Sequence, residues 1–271
     1  MMRRVRMDVA GIAFDVLSGG EGTLTLLLHG FQTFDPAAPF LEALAGSGLA
    51  LIAPSHPGFA STPRPPHVAT MEDVVNAYLD LLDQLPAGPV NLVGLSFGGW
   101  IAAEIAIRYG HRLAKLVLID ALGIRIARRE TPDILHIFNE PPETVTRATW
   151  ADPAHAPDFA TMSDDAVVAH ATNREASCRY GWRPYMHSPR LLHWLHRIQV
   201  PTLVVWGAAD GIVTPAYGQA YAAAIPGATF RMIEGAGHHP DVEKPVELAA
   251  VVSDFLKRTT GHRAIAGGER R

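Results

Sequence analysis

Along most of the chain, short unbroken apolar runs alternate with longer stretches in which apolar residues recur every three or four positions. Six of the runs, "TLTLLLHG", "LALIAPSHPG", "PVNLVGLS", "AKLVLIDA", "PTLVVWGAAD" and "ATFRMIEGAG", are bounded by Gly, Pro or polar residues. Near-continuous apolarity of that length suits parallel strands buried on both faces. "RMDVAG" and "IAFDVL", close to the N-terminus, read as a pair of hairpin-like edge strands and bring the number of predicted strands to eight. Between strands, Met71, Val74, Val75, Tyr78, Leu79, Leu82 and Leu85 fall on one helical face, with Thr70 and Asp73 as a capping pair at its start. The segment after Pro245 repeats the pattern with Leu248, Ala249, Val252, Phe255 and Leu256, and "GHRAIAGGERR" beyond it reads as a loose tail. Strands that alternate with helices predict an α/β fold, here an eight-stranded, mostly parallel sheet flanked by helices.

One region interrupts the rhythm. From Gly123 to Arg197 the chain carries helical pieces and many prolines but no strand-like run. The expectation is a core of residues 1–122 and 198–271, with residues 123–197 inserted as a helical cap after the sixth strand.

Composition narrows the function classes. The 271 residues are 48 % hydrophobic and only 18 % charged, with a formal net charge of −4. That balance announces no basic surface for nucleic acid or an anionic membrane, and leaves a small molecule as the expected partner. Cys178 is the only cysteine, so neither an internal disulfide nor a cysteine-built zinc site is available, and a reducing, cytoplasmic setting is expected. The basic opening "MMRRVR" leads into a segment that Asp8 and Asp15 interrupt, unlike a signal peptide, and no apolar run approaches the roughly 20 residues of a membrane helix.

Candidate chemistry collects at the ends of the apolar runs. Gly94-Leu95-Ser96-Phe97-Gly98 follows a predicted strand and precedes a predicted helix, the strand-turn-helix setting in which a G-x-S-x-G serine is exposed as a nucleophile. A serine hydroxyl is a weak nucleophile at neutral pH and needs a base, an acid to orient that base, and donors for the oxyanion. "EGAGHHPDVEKP" offers His238 and His239 as bases; Asp210 at the end of the seventh run and Asp120 at the end of the sixth are both candidate acids. The backbone N–H groups of Phe31 and Phe97 could converge on an acyl oxygen, while His29 reads as a structural histidine bracing its loop. Gln32, Trp100, Trp182, Tyr185 and His239 are expected around the substrate pocket. His187, His193 and His196 read as packing residues of the cap, so neither a metal nor any other cofactor is expected.

On these motifs the chain resembles α/β-hydrolase fold enzymes with a helical cap, over residues 7–257. The resemblance implies the order Ser96, Asp210, His238 for the triad, with His238 favoured by the G-x-G-H segment of that fold and Asp120 in a place that some relatives use instead. Epoxide hydrolases and haloalkane dehalogenases carry Asp where Ser96 stands, which disfavours their chemistry. The implied activity is hydrolysis of a small carboxylic ester, lactone or thioester. C–C hydrolases of the meta-cleavage type share the triad order, but Phe31-Gln32, Leu95 and His239 depart from their usual residues; perhydrolases, and receptor-like members that bind a ligand with slow turnover, are further alternatives.

Overall fold

The computed structural model describes residues 2–127 and 132–258; the tail segment "GHRAIAGGERR" lies outside them. Eight strands form one sheet: β1 (Arg3–Val9), β2 (Ile12–Gly19), β3 (Thr23–Leu28), β4 (Leu49–Pro54), β5 (Val90–Leu95), β6 (Leu113–Ile119), β7 (Thr202–Gly207) and β8 (Thr229–Ile233). Their spatial order is β1-β2-β4-β3-β5-β6-β7-β8. β1 pairs antiparallel with β2 and β2 with β4, and every other pairing is parallel. The first two strands form the expected hairpin: Val9 faces Ile12 across Ala10 and Gly11, both at positive φ, the backbone of a two-residue turn whose twist matches its strands. Of these two only β1 is an edge, because β2 also pairs with β4.

Helices α1 (Pro39–Gly46), α2 (Met71–Gln84), α3 (Phe97–Tyr109), α4 (Pro142–Thr149), α5 (Asp164–Gly181), α6 (Leu191–Trp194), α7 (Pro215–Ala224), α8 (Pro240–Glu243) and α9 (Pro245–Lys257) complete the fold. α2 starts where the capping pair places it: Thr70 Oγ1 accepts the Asp73 N–H, and the Asp73 carboxylate accepts the Thr70 N–H. Successive strand residues point to opposite faces, so the sheet feeds two cores. Leu26, Leu28 and Leu92 pack with α2 and α3, whereas Leu27 and Val93 pack with α1 and α9. β5 and β7 are buried along their whole length. β8 corrects the sequence expectation, since it is an outer strand in which only Ile233 is buried; one side of it meets no neighbour, and Arg231 and Met232 face solvent.

Between β6 and β7 the described residues are helical, with α4, α5 and α6 and no strand. The insertion leaves the sheet at Gly123, whose N–H donates to Met186 O and whose carbonyl accepts the Ser188 N–H, so its beginning and its later part are tied at one point. Among the described residues no helix is long and apolar enough to cross a membrane.

Candidate active site

The site is assembled at the carboxyl ends of parallel strands, where an α/β sheet leaves a crevice for a ligand. Ser96 stands between β5 and α3 with φ 50° and ψ −113°, a left-handed backbone that a non-glycine residue adopts only under constraint. The constraint is visible. The Ser96 N–H donates to Ile119 O at 2.8 Å, and its carbonyl accepts the N–H groups of Leu122 and Trp100 at 3.0 and 3.2 Å. The two glycines of the motif allow the strand and helix to close on each other. A Cβ at Gly94 would lie 2.4 Å from Gly98 O, and one at Gly98 would lie 2.4 Å from the carbonyl oxygens of both Leu28 and His29.

Ser96 Oγ lies 2.8 Å from His238 Nε2, and His238 Nδ1 lies 2.8 Å from Asp210 Oδ2. All three residues are buried. A carboxylate at Nδ1 fixes the tautomer: Nδ1–H donates to Asp210, leaving the Nε2 lone pair to accept the serine proton. The other Asp210 oxygen accepts the Ile212 and Val213 N–H groups at 2.8 and 3.1 Å. Asp120, the rival acid, does not touch the imidazole ring in this way. Its Oδ1 accepts the Gly207 N–H at 2.8 Å, and burial together with the neighbouring Asp210 charge pushes its carboxyl well above the usual carboxylate range. Asp120, Asp210 and His238 bring their ligand atoms within 4.8 Å of one another, the spacing of a metal cluster. Both ring nitrogens of His238 already face Ser96 and Asp210, so no nitrogen lone pair is left over for an ion.

The loop after β3 carries Phe31 beside Ser96. The His56 N–H donates to His29 Nε2 at 3.0 Å, which puts the His29 proton on Nδ1, where Gly30 O accepts it at 2.8 Å. His56 Nε2–H donates in turn to His29 O at 2.9 Å, and Tyr78 O–H donates to His56 Nδ1. Burial holds His29 down at about 4 and His56 also well below the usual imidazole range, so both rings are neutral braces. Phe97 opens α3, where the first-turn N–H groups have no partner within the helix. Among the described residues neither the Phe31 nor the Phe97 N–H donates to a protein group. A Cβ at Gly30 would stand 3.2 Å from Ser96 Cβ, a tight contact that glycine avoids.

Above Ser96 lies a cavity of about 1260 Å³, with Phe31, Gln32, His238 and His239 among its walls. The insertion supplies Phe138, Val145, Trp150, Phe159 and Arg174. The Arg174 guanidinium sits 4.7 Å from the centre of the Phe138 ring, and Trp150 stacks on His239 at 4.8 Å. Three expected pocket residues lie elsewhere. Tyr185 and Trp182 cluster with His136 and Phe138 and stand behind Phe138 instead of on the cavity wall. Trp100 packs against Gly123, donates Nε1–H to Glu104 at 3.3 Å, and borders a separate cavity of about 370 Å³.

Two sets of contacts were hidden from sequence reasoning. The Gly211 N–H donates to Ala148 O at 2.8 Å and the His238 N–H to Thr149 O at 2.7 Å, so the last turn of α4 holds the loops of both Asp210 and His238. Backbone-to-backbone bonds of this kind leave no residue signature. Asn173, buried in α5, accepts the Ala60 N–H at 2.9 Å and donates to Gln32 Oε1 at 3.0 Å, linking the insertion to the residue next to Phe31. An Asn within a helical pattern is its only sequence signal.

Comparison with known proteins adds to this geometry. The sequence profile of the family described as "Alpha/beta hydrolase family" matches residues 25–251. A poly(3-hydroxyalkanoate) depolymerase from Ectopseudomonas oleovorans is 27 % identical over 95 % of this chain and 93 % of its own. A pimeloyl-[acyl-carrier protein] methyl ester esterase from Aromatoleum aromaticum is 28 % identical over 86 % of this chain and 97 % of its own. Among solved structures, a meta-cleavage product hydrolase from Pseudomonas fluorescens superposes with a TM-score of 0.75 at 21 % identity, covering 93 % of this chain and 97 % of that one.

Proposed function

Because the chain belongs to the alpha/beta hydrolase family and is a hydrolase, we propose that it cleaves carboxylic esters through a covalent acyl intermediate on Ser96, with His238 as base and Asp210 as its orienting acid. The observation that carries the proposal is the unbroken chain from Ser96 Oγ through the His238 ring to Asp210, each step 2.8 Å, on the floor of a largely apolar cavity. His238 takes the serine proton as Oγ attacks the carbonyl carbon. The Phe31 and Phe97 N–H groups receive the charge that develops on the carbonyl oxygen. His238 then returns the proton to the departing alkoxide, leaving the acyl group on Ser96. Water enters, His238 removes its proton, and the acid is released with Ser96 restored. No metal or redox cofactor enters these steps. Residues 123–197 act as a lid, shaping the acyl-binding wall and limiting water.

One relative is named for cleaving a methyl ester, and the cavity's apolar side chains suit an acyl chain. One observation favours C–C cleavage as a second reading. Of the arginines in the insertion, Arg174 borders the cavity, whereas Arg179, Arg183 and Arg190 do not, and a dienoate substrate needs a cation for its carboxylate. A side-by-side assay of p-nitrophenyl esters of graded chain length and a meta-cleavage dienoate tests both. The ester reading expects kcat/KM for the best ester to exceed that for the dienoate by about tenfold or more, equivalent to about 1.4 kcal/mol. A dienoate cleaved as fast as the best ester, with that cleavage lost in Arg174→Ala, replaces it with the C–C reading. Mass spectrometry after reaction with a fluorophosphonate should place the adduct on Ser96; labelling elsewhere overturns both.

A further inference from the structure

Asp120 is a second buried carboxyl beside the proposed triad, and the mechanism above gives it no part. It is 1 % exposed, Asp210 is 3 % exposed, and their oxygens lie within 4.8 Å of each other. Two carboxylates cannot both ionise at that distance out of water, so one holds a proton. Their hydrogen bonds decide which. Asp210 accepts from the Ile212 N–H, the Val213 N–H and His238 Nδ1, three donors that favour its charged form. Asp120 accepts only from the Gly207 N–H, and its Oδ2 is buried with no partner except the neighbouring acid. An oxygen in that position is stable as a hydroxyl and costly as part of an anion.

We infer that Asp120 is a positioning residue kept in its neutral acid form, whose Oδ2–H points at the Asp210 carboxylate and holds it in line with His238. The direction of the Asp120 pKa, well above the usual carboxylate range, agrees with this count of donors. The inference rests on Asp210 being the acid of the proposed triad. It also explains the backbone. Asp120 sits at φ 44°, a conformation that Asp and Asn tolerate better than most residues, anchored by its N–H to Val205 O at 3.0 Å.

The test uses the full-length enzyme and two substitutions. Asp120→Asn places an amide N–H where the acid O–H stands and suits the same backbone; Asp120→Gly removes the group while accepting the positive φ. Asp210 on the loop after β7, Ser96 at the N-cap of α3 and His239 are the polar and titratable groups facing His238, with Asp120 behind Asp210 and Asp241 of α8 paired to His239. If Asp120 is already neutral, Asn changes no charge, and the acid limb of the kcat/KM profile of Asp120→Asn stays where the wild type has it. If Asp120 is an anion, Asn removes a negative charge, the imidazolium is less stabilised, and the limb moves to lower pH by about one unit. Asp120→Gly should lower kcat by about tenfold with KM little changed, and Asn should restore it. Infrared difference spectra at pH 7 supply an independent readout: the wild type minus Asp120→Asn should show a protonated carboxylic-acid C=O band. Absence of that band, or a displaced limb in Asp120→Asn, overturns the inference. Failure of the triad reading would look different, as full activity in Ser96→Ala or Asp210→Asn.

Discussion

The rim of the sheet and the insertion that roofs it are held by different kinds of bond. On the rim, main-chain groups fix the reactive atoms: three backbone hydrogen bonds at Ser96, two backbone N–H groups on Asp210, and a backbone-tethered histidine pair under Phe31. Apart from the α4 carbonyls on the Gly211 and His238 N–H groups, the cavity side of the insertion relies on side chains, with Asn173 on Gln32, Arg174 over Phe138, and Trp150 on His239. Main-chain positioning survives most substitutions nearby, whereas side-chain positioning changes with each one. The chemistry is therefore rigidly specified, while the choice of substrate is open to change at few positions.

The largest effect expected is on the rim. Ser96→Ala should leave the protein folded and lower kcat by about four to six orders of magnitude, read in burst and steady-state assays on p-nitrophenyl esters. Asp210→Asn follows at about four orders, because an amide at that place presents the wrong partner to Nδ1 and disturbs the tautomer. Gly30→Ala comes next: its methyl group would crowd Ser96 Cβ at 3.2 Å, and kcat should drop by about tenfold with the melting temperature nearly unchanged. In the roof, Asn173→Ala leaves the Ala60 N–H without its acceptor and should destabilise the fold by about 1–3 kcal/mol in urea unfolding, with kcat reduced only a few-fold. The smallest effect belongs to Phe138→Ala, which should raise KM for long acyl chains by a few-fold and spare kcat for short ones. A hundredfold loss of kcat in Asn173→Ala or Phe138→Ala would erase the distinction between the two regions.

Acid sharpens the same contrast. His29, held near 4, and His56 are neutral in the folded rim, but the unfolded chain protonates both around the ordinary value of 6.5. The unfolded state then binds more protons, so stability falls as pH drops below 6.5, by about 1 kcal/mol per pH unit for each ring. Urea midpoints measured between pH 7 and pH 5 should decline accordingly. A flat profile would show that the rings are not buried in neutral form.

The strands of the fold were legible, though not their spatial order, because parallel strands buried on both faces have to be apolar throughout, and G-x-S-x-G followed by two rim acids and a histidine left few alternatives for the nucleophile. What escaped was governed by long-range packing. "ATFRMIEGAG" looked like an interior strand because its composition cannot say that β8 ends the sheet. Trp100 was expected at the pocket as an aromatic on the helix after Ser96, and Trp182 and Tyr185 as aromatics of the cap above it. Which way each ring turns depends on Gly123, His136 and Phe138, whose placement the linear pattern does not encode.

A chimera that exchanges the insertion with a relative's could be cut at the ends of the flanking strands, here near Gly123 and Arg197. The carbonyls of Ala148 and Thr149 make that a poor choice, because they hold the Gly211 and His238 N–H groups and so belong mechanically to the sheet and its rim loops. Glu243 reinforces the join from the other side, accepting the Asp152 N–H at 2.9 Å and the Gly237 N–H at 2.6 Å. A transplant that keeps residues up to Asp152 from the recipient, and takes only the following helices from the donor, should exchange substrate range without unseating His238.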